Sequence, residues 1–130
     1  MKLFDPTLQL LERSLDVRLE RHNVLSSDLA NADTPGFQPR DVDFGAAMQA
    51  AVAEIASAEP ADPAGSGRHA PSPTIVGRGA GAAAGIDGNQ VDADRTLVSL
   101  AENGLQYGAS AKAAGKKLAI LRYVASDGNA

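Results

Sequence analysis

Few residues in this chain could do chemistry, and each has a plainer role open to it. Gly79-Ala80-Gly81-Ala82-Ala83-Ala84 fits a loosened G-x-G-x-x-A fingerprint, in which glycines let the backbone approach a pyrophosphate at a helix start. That chemistry needs a strand before the glycines, a helix after them and, to cradle a phosphate, a lysine close by. Thr74-Ile75-Val76 is the only strand-like run in front, and no lysine lies between Lys2 and Lys112. A loop is the better reading. Asp87-Gly88-Asn89 and Asp92-x-Asp94 offer the oxygen ligands that calcium takes, but the loop spacing and closing glutamate of a calcium loop are missing. A turn followed by a helix cap accounts for them.

His22 and His69 are the only histidines. His22 falls near an apolar helical stripe and reads as a packing or interface residue; His69 stands in a Pro/Gly-rich stretch with no partner in view. Asp41 and Asp43 alternate with Val42 and Phe44, which suits an extended segment with carboxylates outward and apolar groups inward. Tyr107 is a packing residue with a polar tip. No nucleophile and base come together. The absence of cysteine excludes disulfides and thiolate metal sites. These residues point away from an enzyme, a cofactor, a metal or a small-molecule substrate. A net charge of −4 and a pI near 5.0, with aromatics at 4%, also argue against a nucleic-acid partner.

The elements behind these residues fall into three zones of a single elongated unit spanning 1–130. A helix is expected over 6–32, opened by Asp5 as cap and Pro6 at its first position; at ~1.5 Å per residue it is a rod of roughly 40 Å. Leu8, Leu11, Leu15, Leu19 and Leu29 fall on one face of it, and Leu3, Leu10, Val17 and Val24 on the opposite face. A surface helix needs one apolar stripe, so two predict partners on both sides. Glu12, Asp16 and Glu20 form an acidic edge and Arg18 and Arg21 a basic one, which neighbouring chains could match to one another.

Residues 33–57 read as a turn, a short extended piece and a short helix. Thr34-Pro35-Gly36-Phe37 has the signature of a type II turn, with Gly36 free to take a positive φ. Phe44, Met48, Val52 and Ile55 mark one face of the short helix. Over 58–90 Pro and Gly dominate, which predicts a disordered-like loop. The last helix is expected over 92–125, acidic at its start and basic toward its end, as the macrodipole favours. Its apolar positions, Leu97, Leu100, Gly104, Tyr107, Ala111, Ala114, Leu118, Leu121 and Ala125, alternate spacings of three and four, the pattern of a coiled-coil seam. The fold class is thus all-α: two long terminal helices forming an antiparallel coiled coil around a short extended segment and a loop. Apolar residues reach 44%, but many are Ala. At about 25 cal/mol per Å² such a core is thin against about 1–2 kcal/mol per residue of ordering, so burial is expected to be completed by association.

Leu29-Ala30-Asn31-Ala32-Asp33-Thr34-Pro35-Gly36-Phe37 resembles the N-terminal Ala-Asn-x-x-Thr-Pro-Gly-Tyr/Phe motif of flagellar rod, hook and hook-associated proteins. Pro39–Phe44, Asp87-Gly88-Asn89-Gln90-Val91-Asp92-Ala93-Asp94-Arg95 and Leu100–Tyr107 are similar to the FlgB, proximal-rod branch. The resemblance covers about residues 5–45 and 86–124. It departs in Phe37, where Tyr is commoner, and in the Gly- and Ala-rich last helix. It implies a structural subunit of the basal-body rod, self-assembling through its terminal helices into the axial drive shaft for motility. The implied partners are copies of itself, other rod proteins, the membrane-ring and export-gate base, and the flagellar type III export apparatus. The implied location is the rod in the periplasmic space, with export expected to proceed without a cleavable signal peptide. Asn31, Thr34, Pro35, Gly36 and Phe37 would be the assembly motif. The alternative is an export adaptor or chaperone-like helical hairpin that holds a partner's amphipathic helix.

Overall fold

Asp5 opens the first helix. Its carboxylate accepts a hydrogen bond from the Thr7 N–H at 3.0 Å, and Pro6 takes the position where a missing N–H is harmless. The computed structural model describes residues 5–57, 73–78 and 85–126. Within them, α1 runs Pro6–Ala30, β1 Arg40–Val42, α2 Phe44–Ser57, β2 Ile75–Gly77 and α3 Ala93–Ala125. The fold is mainly helical, with one two-stranded antiparallel ribbon that pairs Arg40 with Gly77, Asp41 with Val76 and Val42 with Ile75. The remainder of the expected loop, with His69 and the Gly79–Ala84 run, lies outside the described residues. No helix among those described is long and apolar enough to cross a membrane.

The core is small. Val17, Val24, Val42 and Ala47 cluster with Phe44 packed against them, and Leu25 and Ala51 are also buried. α1 therefore turns its Leu10, Val17, Val24 stripe inward, with Leu10 half-buried. Its other stripe is only partly covered: Leu8, Leu11, Leu15 and Leu29 are half-buried, and Leu19 is exposed. In α2, Ala47 and Ala51 make the closest approach, with Phe44, Met48 and Ile55 half-buried beside them and Val52 exposed. Alanine at these two positions lets α2 lie close to α1, as small residues at a contact do.

The expected basic edge of α1 is used inside the subunit rather than offered to neighbours. The Arg18 guanidinium lies 4.2 Å over the Phe44 ring and donates to Gln106. Arg21 clasps Asp41 through two hydrogen bonds of 2.7 and 2.9 Å. The competing principle is desolvation: half-buried guanidinium groups take the partner within reach.

α1 and α3 lie antiparallel, because contacts climb one helix while descending the other. Asp5 pairs with Lys117, the Ser14 and Ser110 hydroxyls lie 3.4 Å apart, and Asn103 Nδ2 donates to the Arg18 carbonyl at 2.8 Å. The face of α3 turned toward α1 thus includes Thr96, Asn103, Ser110 and Lys117, a polar column at heptad spacing. It is rotated by one residue from Leu97, Gly104, Ala111 and Leu118. Leu100, Ala111, Ala114 and Leu121 are half-buried on its flank, whereas Leu97, Gly104, Tyr107 and Leu118 are exposed. Polar groups can occupy such a contact because most are satisfied: Thr96 bonds back to the Asp92 carbonyl at 2.7 Å, and Asn103 reaches the α1 backbone.

Candidate assembly site

The sequence motif Asn31–Phe37 forms the exit from α1, and the chain builds it in two layers. The inner layer is local. Asn31 caps the helix with its backbone N–H on Ser27 and Asp28 carbonyls, and its carboxamide Nδ2 returns to Ser27 O at 2.8 Å. Its Oδ1 accepts from the Thr34 hydroxyl at 3.1 Å. The Phe37 N–H closes the turn on the Thr34 carbonyl at 3.2 Å, with Gly36 at φ 71°. A positive φ at the third residue of the turn is what a type II turn needs. Nothing stands within 4 Å of where a Gly36 Cβ would go, so the constraint on this glycine is the backbone angle and not space. Pro35 is exposed and fixes φ before it.

The outer layer comes from fifty residues later in the chain, roughly, and sequence reasoning missed it. Asn89 is buried and donates from one Nδ2 to three carbonyls: Asn31 at 3.0 Å, Ala32 at 2.7 Å and Thr34 at 2.8 Å. Its Oδ1 accepts from the Val91 N–H at 2.7 Å, which fixes the amide's orientation, since the flipped form would face oxygen to oxygen. Two backbone bonds flank it, Gly36 N–H to Asp87 O and Phe37 O from Gln90 N–H, each 3.0 Å. Gly88, at φ 77°, sits against Gly36. The Asp87-Gly88-Asn89 turn is therefore the second half of the motif, gathering the carbonyls of the turn that follows α1. The glycine between two side chains with oxygen acceptors signals a turn, but a turn alone does not say what it docks on.

Below this exit a charged cluster anchors β1. Asp41 accepts from Arg21 and, at 3.1 Å, from Arg78. Burial pushes the Asp41 carboxyl up, but the bonds from Arg21, the Val42 N–H and Arg78 together hold it below the usual carboxylate range. Asp28 is fully buried; one oxygen accepts the Arg40 N–H at 2.8 Å and the other has no partner. Burial raises its pKa, against the pull of Arg40 and Arg78. Asp43 is exposed and caps α2 through the Ala46 N–H at 2.9 Å. His22 is exposed, and no group of three or more His, Cys, Asp or Glu suited to a metal occurs among the described residues.

What this arrangement can do is hold a helix exit rigid and leave helix faces open. No family model matches the chain. The flagellar basal body rod protein FlgB of Escherichia coli (strain K12) is 32% identical, with 96% of each chain covered. The protein of that name from Yersinia enterocolitica is 33% identical, covering 79% of this chain and 81% of its own length. The chain belongs to the FlgB family. The Salmonella typhimurium FlgB is 29% identical over 96% of both chains. Membership in the FlgB family matches the open faces described above, because a rod protein must present surfaces to its neighbours.

Proposed function

We propose that this chain is a structural subunit of the flagellar basal-body rod, in which it joins other rod proteins through its terminal helices. The observation that carries the proposal is the outward apolar face of α3 in a member of the FlgB family. Leu105 is 77% exposed, and Leu97, Leu118, Ile120 and Tyr123 are exposed with it. A lone subunit has no reason to keep such a face in water, whereas an assembling one needs it. Leu8, Leu11 and Leu15 on α1 and Leu97, Gly104, Tyr107 and Leu118 on α3 would supply the packing seams toward neighbours, and Leu10, Val17 and Val24 with Leu100, Ala111 and Leu121 those within the subunit. Asn31, Thr34, Pro35, Gly36 and Phe37 would set the angle at which the chain leaves α1.

On this reading 1–130 is one elongated unit that leaves the cytoplasm through the flagellar type III apparatus and assembles in the periplasmic space. It contacts copies of itself, other rod proteins and the membrane-ring and export-gate base. It performs no catalysis and needs no cofactor, small-molecule substrate or nucleic acid. An export adaptor is the reading that membership in the FlgB family does not favour. Circular dichroism with a urea melt separates the two. A rod subunit is poorly ordered until assembled, and a sharp cooperative transition of the isolated monomer would count against it.

A further inference from the structure

Among the described residues α1 and α3 each leave a face uncovered, and the chemistry of the two faces is complementary. On α1, Leu8, Leu11 and Leu15 are half-buried and Leu19 is exposed, and between them Glu12 and Asp16 point to solvent. Neither carboxylate has an ion-pair partner among the described residues. On α3, the side opposite α1 carries Val98, Leu105, Ile120 and Tyr123, all exposed, and between these apolar groups stand exposed Lys112 and Lys116. Ala109 and Ala113 fill the floor there, and a Cβ at Gly108 would meet nothing within 4 Å. Each face thus has a charged pair one helical turn apart, of opposite sign, set among apolar groups.

We propose that the outward face of α1 in a second copy of this chain docks on the outward face of α3, with Glu12 against Lys116 and Asp16 against Lys112. The proposal rests on the reading of the chain as a rod subunit. In a polar array every copy points the same way along the axis. Because α1 and α3 run oppositely within one chain, α1 of one copy then meets α3 of the next antiparallel. In that direction the charge match fixes the register. Leu15 falls at Ala113 and Leu19 at Ala109, so large side chains meet small ones there, while Leu8 meets Ile120 at the end of the contact. The two faces are different surfaces, so the contact is heterologous and leaves the pair with one face of each kind still open. Such contacts propagate instead of closing into a pair. About a dozen residues of each helix span ~18 Å, a strip too short to bury the roughly 1,200–2,000 Å² of a stable two-body interface. The contact holds within an array, where each subunit has other neighbours, and not between two molecules in dilute solution.

The test uses the full chain expressed in a motile strain that lacks its own copy. Because the chain has no cysteine, Leu19→Cys combined with Ala109→Cys in one chain puts both partners of the contact on every subunit. Oxidation of isolated basal bodies should give a ladder of dimers and higher species. Leu19→Cys with Ala119→Cys, displaced by ~15 Å along the helix, should give none. Separately, Glu12→Lys with Asp16→Lys, or Lys112→Glu with Lys116→Glu, should reduce swarm diameter at least fivefold, and the four changes together should recover at least half of it. Motile cells whose basal bodies contain the first cysteine pair but give no ladder would overturn the register. So would a fourfold variant no better than either double one, or a photocrosslinker at Leu105 that captures another rod protein instead of a second copy. Failure of the unmodified chain to enter basal bodies would instead overturn the rod reading itself.

Discussion

The α1 exit and the outer side of α3 show opposite ways of using a small number of residues. At the exit, two short turns from distant parts of the chain satisfy each other's backbone, and a single buried carboxamide holds three carbonyls. Along the outer side of α3, large apolar groups such as Leu105 and Ile120 are in water. The exit is complete within one molecule. The α3 face is not. A subunit organised this way has a fixed joint and unfinished arms, so a mutation at the joint should harm the subunit itself, and one on an arm should harm only its assembly.

The strongest challenge to that division is Asn89→Asp. It keeps the shape but replaces the donor with a carboxylate oxygen facing three carbonyls, and should cost ~3 kcal/mol or more. The readout is the urea concentration at which assembled material loses helicity, and an unchanged midpoint would remove the clamp from the account. Gly36→Val forces a β-branched residue to a φ of 71°, at about 1–3 kcal/mol. Assembly and swarming should stop while the protein still reaches the culture medium; normal swarming would contradict the turn.

Asp41→Asn tests the anchor beneath the joint. Loss of charge opposite Arg21 and Arg78 should cost ~1.5–3 kcal/mol at neutral pH. Asp41's folded pKa is depressed, so its contribution is present above the unfolded value of 3.8 and is lost as pH falls through the lower folded value. The variant should therefore lose less stability than the parent as the pH falls from 3.8 toward that lower value. Asp28 has the reverse sign. Its folded pKa is raised, so its contribution is present below 3.8 and lost as pH rises through the higher folded value. Asp28→Asn should leave neutral-pH stability unchanged or slightly higher and flatten the pH dependence just above 3.8. On the arm, Leu105→Ser should leave the far-ultraviolet spectrum of the isolated chain unchanged while reducing assembly, the smallest effect on the subunit and a plain one on the rod.

Much of the fold was legible in the sequence because its signals are local. Asp5-Pro6 and Asp92 sit where helices begin, Gly36 takes the angle its turn type demands, and Thr74-Ile75-Val76 marks the place of β2. Contacts between distant segments were not legible. Nothing in Asp87-Gly88-Asn89 names the carbonyls that Asn89 holds, and nothing in Arg78 names Asp41. The rotation of α3 was also hidden, because the apolar pattern pointed to Leu97, Gly104 and Leu118 while α1 is met by Thr96, Asn103 and Lys117. Hydrophobic periodicity reports which face wants cover, and it does not say whether the same molecule provides that cover.

The polar column between α1 and α3 has a mechanical consequence. Hydrogen bonds are directional and short, so Asn103, Ser110 and Lys117 resist axial slippage of one helix past the other far better than smooth leucine contacts would. Yet they bury little grease, so water can replace them one at a time when the two helices are drawn apart. The hairpin is stiff in shear and easy to unzip.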